Sequence, residues 1–302
     1  MSMPFYVSPE QAMRDKADYA RKGIARGRSC VALQYAGGIL MVAPNPSSAL
    51  HKISEIYDRI AFGAVGRYNE YENLRKAGVT YADITGYQFD RHDVTARGIA
   101  NWYAQTLGTI FTESNKPFEV EIVVAEVGAT PADDQIYRIT FDGSVTDEPG
   151  FVAFGGQADQ VSAALKEHYS DGMSLAEAFS AALAALTTPA NGGERTEFAA
   201  SQLEVAILER ARDHRTFRRI RATRLEELIL ESRPTPAVEP PADSASTPDS
   251  ASPDSASSTS ASAAQPDSAP SAPSAPPDPG PPTGPEPGGS DRGSGLGGTP
   301  PL

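Results

Sequence analysis

The apolar positions of this chain change period several times, and the changes mark its elements. Between residues 9 and 24, Met13, Ala17, Ala20 and Ile24 recur at helical spacing among charged residues, which predicts an amphipathic helix. Ser8-Pro9-Glu10-Gln11 supplies its start, with Ser8 at the N-cap, Pro9 at the first helical position and Gln11 closing a capping box. The period then shortens. Residues 30–35 (CVALQY) and 39–42 (ILMV) are short apolar runs, and Gly37-Gly38 between them predicts a hairpin whose turn residues tolerate positive φ.

The alternation continues downstream. Ile53, Ile56 and Tyr57 alternate with polar residues over 52–59, and 60–66 (IAFGAVG) is an apolar strand of small residues suited to close packing. Residues 67–77 read helical, with Tyr68, Tyr71 and Leu74 on one face and Gly78 as the stop. Asp93 can cap a longer helix carrying Ala96, Ala100, Tyr103, Leu107 and Phe111, which Pro117 ends. Strands return at 119–127 and 136–141, followed by an Asp142-Gly143 turn and a short buried strand at 151–154. Helices are expected at 158–169 and 175–186, the second capped by Ser174 with Glu177. Strands at 203–208 and 217–221 precede a last helix, capped by Thr223-Arg224-Leu225-Glu226 and ending near Ser232. Runs of strands separated by pairs of helices argue for layers rather than alternating βαβ units. Two facing sheets with helices outside each, an α+β four-layer αββα sandwich, fit this order.

Composition divides the chain. Residues 233–302 hold 18 of the 26 prolines, a recurring Pro-Asp-Ser-Ala and almost no large apolar residue, so this tail should stay disordered. The body before it is long enough for one sizeable core. Net charge is −13, of which the tail's eight acidic and two basic residues give −6. That balance, without an extended basic stripe, argues against nucleic acid as the main partner. Cys30 is the one cysteine, so no disulfide and no cysteine zinc cluster can form within the chain. No apolar run approaches a membrane span and no signal-peptide pattern opens the chain, so a cytoplasmic protein without membrane contact is expected.

Candidate chemistry is sparse. His51, His92, His168 and His214 share no metal-ligand spacing and read as surface histidines. Arg91-His92-Asp93 reads as a loop ending in a helix cap, without the rest of a kinase signature. Gly155-Gly156 and Gly192-Gly193 lack the Lys-Ser/Thr of a phosphate loop. No cofactor is expected. Arg210, Arg212, Arg215, Arg218, Arg219, Arg221 and Arg224 form the one basic cluster; with no aromatic stacking set interleaved, ion pairs between subunits are favoured over a nucleic-acid patch.

Several separated blocks together resemble one family. YVSPEQAMRDKADYARKGIARGRSCVALQYAGGILMVAPN is similar to the opening of a proteasome α subunit of the actinobacterial type, and HKISEIYDRIAFGAVGRYNEYENLRKAG, NWYAQTLGTIFTESNKPFEVE, YRITFDGS and LEVAILER continue the likeness in order. It covers residues 1–232. The resemblance implies an Ntn-hydrolase sandwich with an extra N-terminal helix, and three parts: a gate segment at 1–8, the family domain at 9–232 and the tail at 233–302. In catalytic members a threonine freed at the head of the first strand is the nucleophile, its own amine serving as base. Aligned on VALQYAGGILMVA, that position falls at Arg28 or Ser29, and the supporting aspartate would fall near Pro44. The resemblance therefore implies a non-enzymatic subunit.

What it implies about partners is specific. Such subunits form heptameric rings, template assembly with proteolytic β subunits, gate substrate access to the proteasome core complex and dock a ring-shaped regulatory ATPase through its C-terminal tails. In the actinobacterial branch, protein degradation serves substrates carrying a ubiquitin-like tag. The gate would be Pro4, Phe5, Tyr6, Val7 and Ser8, and Lys52 would pair with the terminal carboxylate of an ATPase tail. Two other readings remain open: a self-processing hydrolase using Ser29 or Cys30, and a free-standing binding module using its Pro-rich tail.

Overall fold

The computed structural model describes residues 8–188 and 197–232, all within the first of two units of the chain, Met1–Glu239. The tail at 233–302 and all of the gate segment except Ser8 lie outside the described residues. Helix α1 (Pro9–Ile24) starts where its signals place it: the Ser8 hydroxyl accepts from the Gln11 N–H at 3.2 Å. Gln11 does not close the box; its side-chain amide donates to Asp15 at 2.8 Å instead.

Strands β1 (Cys30–Tyr35) and β2 (Gly38–Pro44) form the expected hairpin, but Tyr35 pairs with Gly38, so Ala36 and Gly37 make the turn. Gly38 opens β2 at φ +144, where a Cβ would sit 1.9 Å from the Leu208 carbonyl oxygen of a neighbouring strand. Only glycine fits so close a backbone approach. The hairpin extends on both sides, to β8 (Phe151–Phe154) beside β1 and to β9 (Leu203–Glu209) beside β2. With β10 (Phe217–Ile220) the first sheet runs β10-β9-β2-β1-β8. The second is an antiparallel meander of β3 (Ile53–Tyr57), β4 (Ile60–Gly66), β5 (Val120–Glu126), β6 (Gln135–Ile139) and β7 (Val145–Asp147). β7 carries no apolar alternation and all three of its residues are exposed, which is why pattern missed it.

The period-2 alternation sorts side chains between layers. Cys30 and Ala32 of β1, with Ile39, Met41, Val123, Ala125, Ala206 and Leu208, pack between the sheets. Val31 and Leu33 face outward onto α4 (Ala158–His168), α5 (Leu175–Thr187) and α6 (Ala222–Glu231), through Leu165, Phe179 and Leu228. Across the molecule, Phe62, Ile122 and Val124 face α2 (Tyr68–Gln88) and α3 (Ala96–Glu113). The layers are α, β, β and α, as the element order implied. No helix among the described residues is long and apolar enough to cross a membrane.

Three boundaries differ from expectation. α2 runs through Gly78 to Gln88, because this glycine is a contact point, not a stop. The buried Tyr103 crosses there and its hydroxyl donates to the Leu74 carbonyl at 3.0 Å; a Cβ on Gly78 would lie 1.9 Å from that hydroxyl oxygen. Thr95, not Asp93, caps α3, its hydroxyl accepting from the Gly98 N–H, while Asp93 closes a 3-10 turn. α6 begins one residue before the expected cap, with Arg221 at its N-cap.

Two glycine substitutions should separate in sign. Gly78→Ala forces Tyr103 from its slot and should cost about 1–3 kcal/mol of stability. Gly108→Ala, also in a helix but meeting only the Asp142 carbonyl at 3.7 Å, should stabilise by about 0.4–1 kcal/mol. Urea unfolding of the two variants checks the pair; equal midpoints would contradict it.

Candidate functional site

Chemistry gathers at the head of β1. Ser29 sits one residue before the strand, 6% exposed. Its hydroxyl accepts the Gln157 main-chain N–H at 2.9 Å, tying the approach to β1 to the approach to α4. Gly155, at φ +107, runs past with room for no side chain: a Cβ would meet the Ser29 Cα at 3.1 Å. The Ser29 nitrogen belongs to a peptide bond, so it is no base. Pro44, at the position expected of a supporting carboxylate, ends β2 opposite Leu203. Cys30 is buried, and burial pushes its thiol from 9.0 up to about 11, although Lys52 beside it pulls the other way. A thiol so placed is a poor nucleophile near neutral pH.

Lys52 lies beside this strand head. It is half-buried, and its ammonium donates to the Arg28 carbonyl at 3.2 Å, with the Cys30 sulfur 3.9 Å away. Among the described residues no carboxylate forms an ion pair with it. Its backbone is fixed on both sides: the N–H donates to Glu204 at 2.9 Å and the carbonyl accepts from Ala64 at 3.0 Å. Glu204, 9% exposed, also accepts from the Ile53 N–H at 3.3 Å and the Asn45 amide at 2.8 Å, faces His51 Nδ1 at 3.1 Å and pairs with Arg219. Asn45 donates as well to the Leu50 carbonyl, at 2.6 Å, so the connection from β2 to β3 is closed on itself. The result is a fixed ammonium, chemically fitted to receive a carboxylate as a charge-assisted partner.

The other expected residues fall as follows. Pro4, Phe5, Tyr6 and Val7 lie outside the described residues, and Ser8 caps α1. That helix is held to the body by Lys16, which donates to the Phe111 carbonyl at 3.1 Å, and by Gly23, packed on the Glu119 carboxylate. His51 joins Glu204 and His92 pairs with Asp90 at 2.6 Å. His168 ends α4 and His214 is exposed. No group of His, Cys, Asp or Glu among the described residues could hold a metal ion. The basic cluster pairs largely within the chain, against the expectation of pairs between subunits: Arg210 with Asp134, Arg215 with Glu55, Arg218 with Glu209, Arg219 with Glu204 and Arg224 with Glu227. Sequence reasoning missed Glu204 and Asn45, and read Arg219 only as part of the basic cluster. The one available signal was a carboxylate inside the apolar run LEVAILE.

Comparison with known proteins matches residues 24–208 to the family described as proteasome subunit. Proteins named proteasome subunit alpha are similar over most of their length. That of Streptosporangium roseum is 67% identical over 249 residues, spanning 82% of this chain and 95% of the relative. That of Thermomonospora curvata is 67% identical over 231 residues, 76% of this chain and 99% of the relative. That of Thermobifida fusca is 66% identical over 232 residues, 77% of this chain and 92% of the relative.

The strand head makes its own prediction. Intact mass should show a chain that keeps its residues before Ser29, and iodoacetamide at pH 8 should leave Cys30 unmodified until the protein is unfolded. A thiol held near 11 is almost wholly protonated at that pH, and alkylation needs the thiolate. A species beginning at Ser29 or Cys30, or rapid labelling of the folded chain, would show the site to be reactive.

Proposed function

Because the chain belongs to the proteasome subunit family, on its α branch, we propose that it is a non-catalytic ring subunit of a proteasome core particle. Seven copies close a ring by a repeated head-to-tail contact, the symmetry route to a closed assembly. This ring templates assembly with β subunits, in which the threonine-protease activity resides. It also gates their chamber and docks a ring ATPase that delivers proteins carrying a ubiquitin-like tag, in the cytoplasm. The inert role is supported at Ser29, whose nitrogen is acylated by the chain and so provides no amine base.

One observation carries the docking role. The Lys52 ammonium rests on a neutral carbonyl, and among the described residues no acid pairs with it, so its charge is available to a terminal carboxylate arriving from outside. A charge-assisted contact of this kind contributes about 1.5–3 kcal/mol, and several tails engaging one ring multiply its effect. Residues 1–8 are the gate, an apolar and aromatic leader of which seven copies converge on one axis. Residues 233–302 form a tail outside the ring contacts.

Lys52→Ala should leave assembly and small-peptide hydrolysis intact while reducing ATPase-dependent degradation of tagged protein, measured in reconstituted particles. Normal degradation with unchanged ATPase binding would remove Lys52 from the docking role. Truncations test the two ends. Deleting residues 1–7 should raise peptide hydrolysis by assembled particles, and a chain ending at Ser232 should still assemble with β subunits. Unchanged peptide turnover would refute the gate, and monomers alone would give the tail a structural role.

A further inference from the structure

Glu204 stands in a run, LEVAILE, whose other interior positions are apolar. Along β9, Val205 and Ile207 face the helices while Ala206 and Leu208 face the other sheet. Alternation puts Glu204 on the second of these faces, turned into the space between the sheets. A carboxylate placed there is costly unless several donors meet it. It has them: the Lys52 N–H, the Asn45 amide and the His51 ring belong to the connection between β2 and β3, and the Ile53 N–H to the first residue of β3. Arg219 completes the set from β10.

The donor that is missing is the Lys52 ammonium. His51 reaches Glu204, whereas the Lys52 side chain reaches the Arg28 carbonyl instead. Glu204 thus holds Lys52 by its backbone without neutralising its charge, while a neutral carbonyl steadies the ammonium at 3.2 Å.

We propose that Glu204 is the positioning residue of the docking site: it fixes the backbone of Lys52 so that the ammonium meets the terminal carboxylate of an incoming peptide tail. This rests on the docking reading of Lys52 given above. Asn45 acts in the same chain of contacts, since its amide bridges Glu204 and the Leu50 carbonyl.

The test uses particles assembled with their β subunit and two fluorescent octapeptides. Both carry the C-terminal sequence of the ring ATPase of the same organism, one with a free carboxylate and one amidated. Wild-type particles should prefer the carboxylate peptide, and Lys52→Ala should abolish that preference. Glu204→Gln should weaken the carboxylate peptide about tenfold, leave the amide unchanged and add nothing in the Lys52→Ala background. A merely structural residue would lower both peptides together. Asn45→Ala should act in the same direction by about threefold, and it decides the matter if Glu204→Gln particles do not assemble. Loss of preference in Lys52→Ala with normal preference in the Glu204 and Asn45 variants overturns this proposal alone. Full preference in Lys52→Ala overturns it together with the docking reading.

Discussion

Buried carboxylates that accept main-chain N–H groups hold this sandwich together at its ends. Inside each sheet the backbone satisfies itself, but where strands and helices begin or end, buried and part-buried N–H groups need other acceptors. Glu70 takes the N–H of Glu119 at 2.6 Å, Glu121 that of Gly155 at 2.8 Å, Glu126 that of Ala96 at 2.7 Å and Asp134 that of Gly128 at 2.8 Å. Glu204 does the same for Lys52 and Ile53. Most of these acids are completed by one cation: Lys116 beside Glu70, Arg138 beside Glu121, Arg210 beside Asp134, Arg219 beside Glu204. Glu126 differs, since burial holds its carboxyl above the usual range while the Ala96 N–H and Arg59 draw it back. Removing either member of such a set strands a charge, which costs more than the intact pair contributes.

The same constraint gathers polar side chains at strand ends. The interior faces of the sheets set small side chains such as Ala32, Ala61, Ala125 and Ala206 among larger ones such as Met41 and Phe154. Gly63 is there for the same reason: a Cβ would lie 2.7 Å from the Met41 methyl. Among the described residues, the outer faces of the central strands are covered by helices, and exposure is left to edge strands such as β7. What remains is the rim, where the head of β1 and the connection from β2 to β3 come side by side.

Some local signals were legible where their partners lie close in sequence, although Gln11 turned to Asp15 and Thr95 replaced Asp93 as a cap. The Ser8 cap and the Ser174–Glu177 box each span three residues, and both helices begin where those residues stand. The alternation in β1, β2, β4 and β5 gave the sheets, and their order gave the layers. Gly78 misled because glycine stops a helix and also admits a neighbour; what decides is Tyr103, on another helix. Glu204 was illegible for a related reason, its donors lying about 150 positions away in sequence. Lys52 could be singled out by resemblance, but nothing in its spacing foretold that its ammonium would rest on the Arg28 carbonyl.

That placement sets a cation beside a buried thiol at one corner of the fold. A lysine beside a thiol would ordinarily suggest an activated nucleophile, because a nearby cation stabilises the anionic form. Here two features defeat it. Burial outweighs the pull of Lys52 on Cys30, so the thiol is raised rather than lowered. Ser29 accepts the Gln157 N–H at its hydroxyl, and its nitrogen lies in a peptide bond, so it offers no amine base. The Lys52 ammonium rests on the Arg28 carbonyl. It retains a charge that one neutral carbonyl steadies and does not cancel, on a backbone that Glu204 holds still. A cation so held can attract an anion, since its charge is steadied and not cancelled.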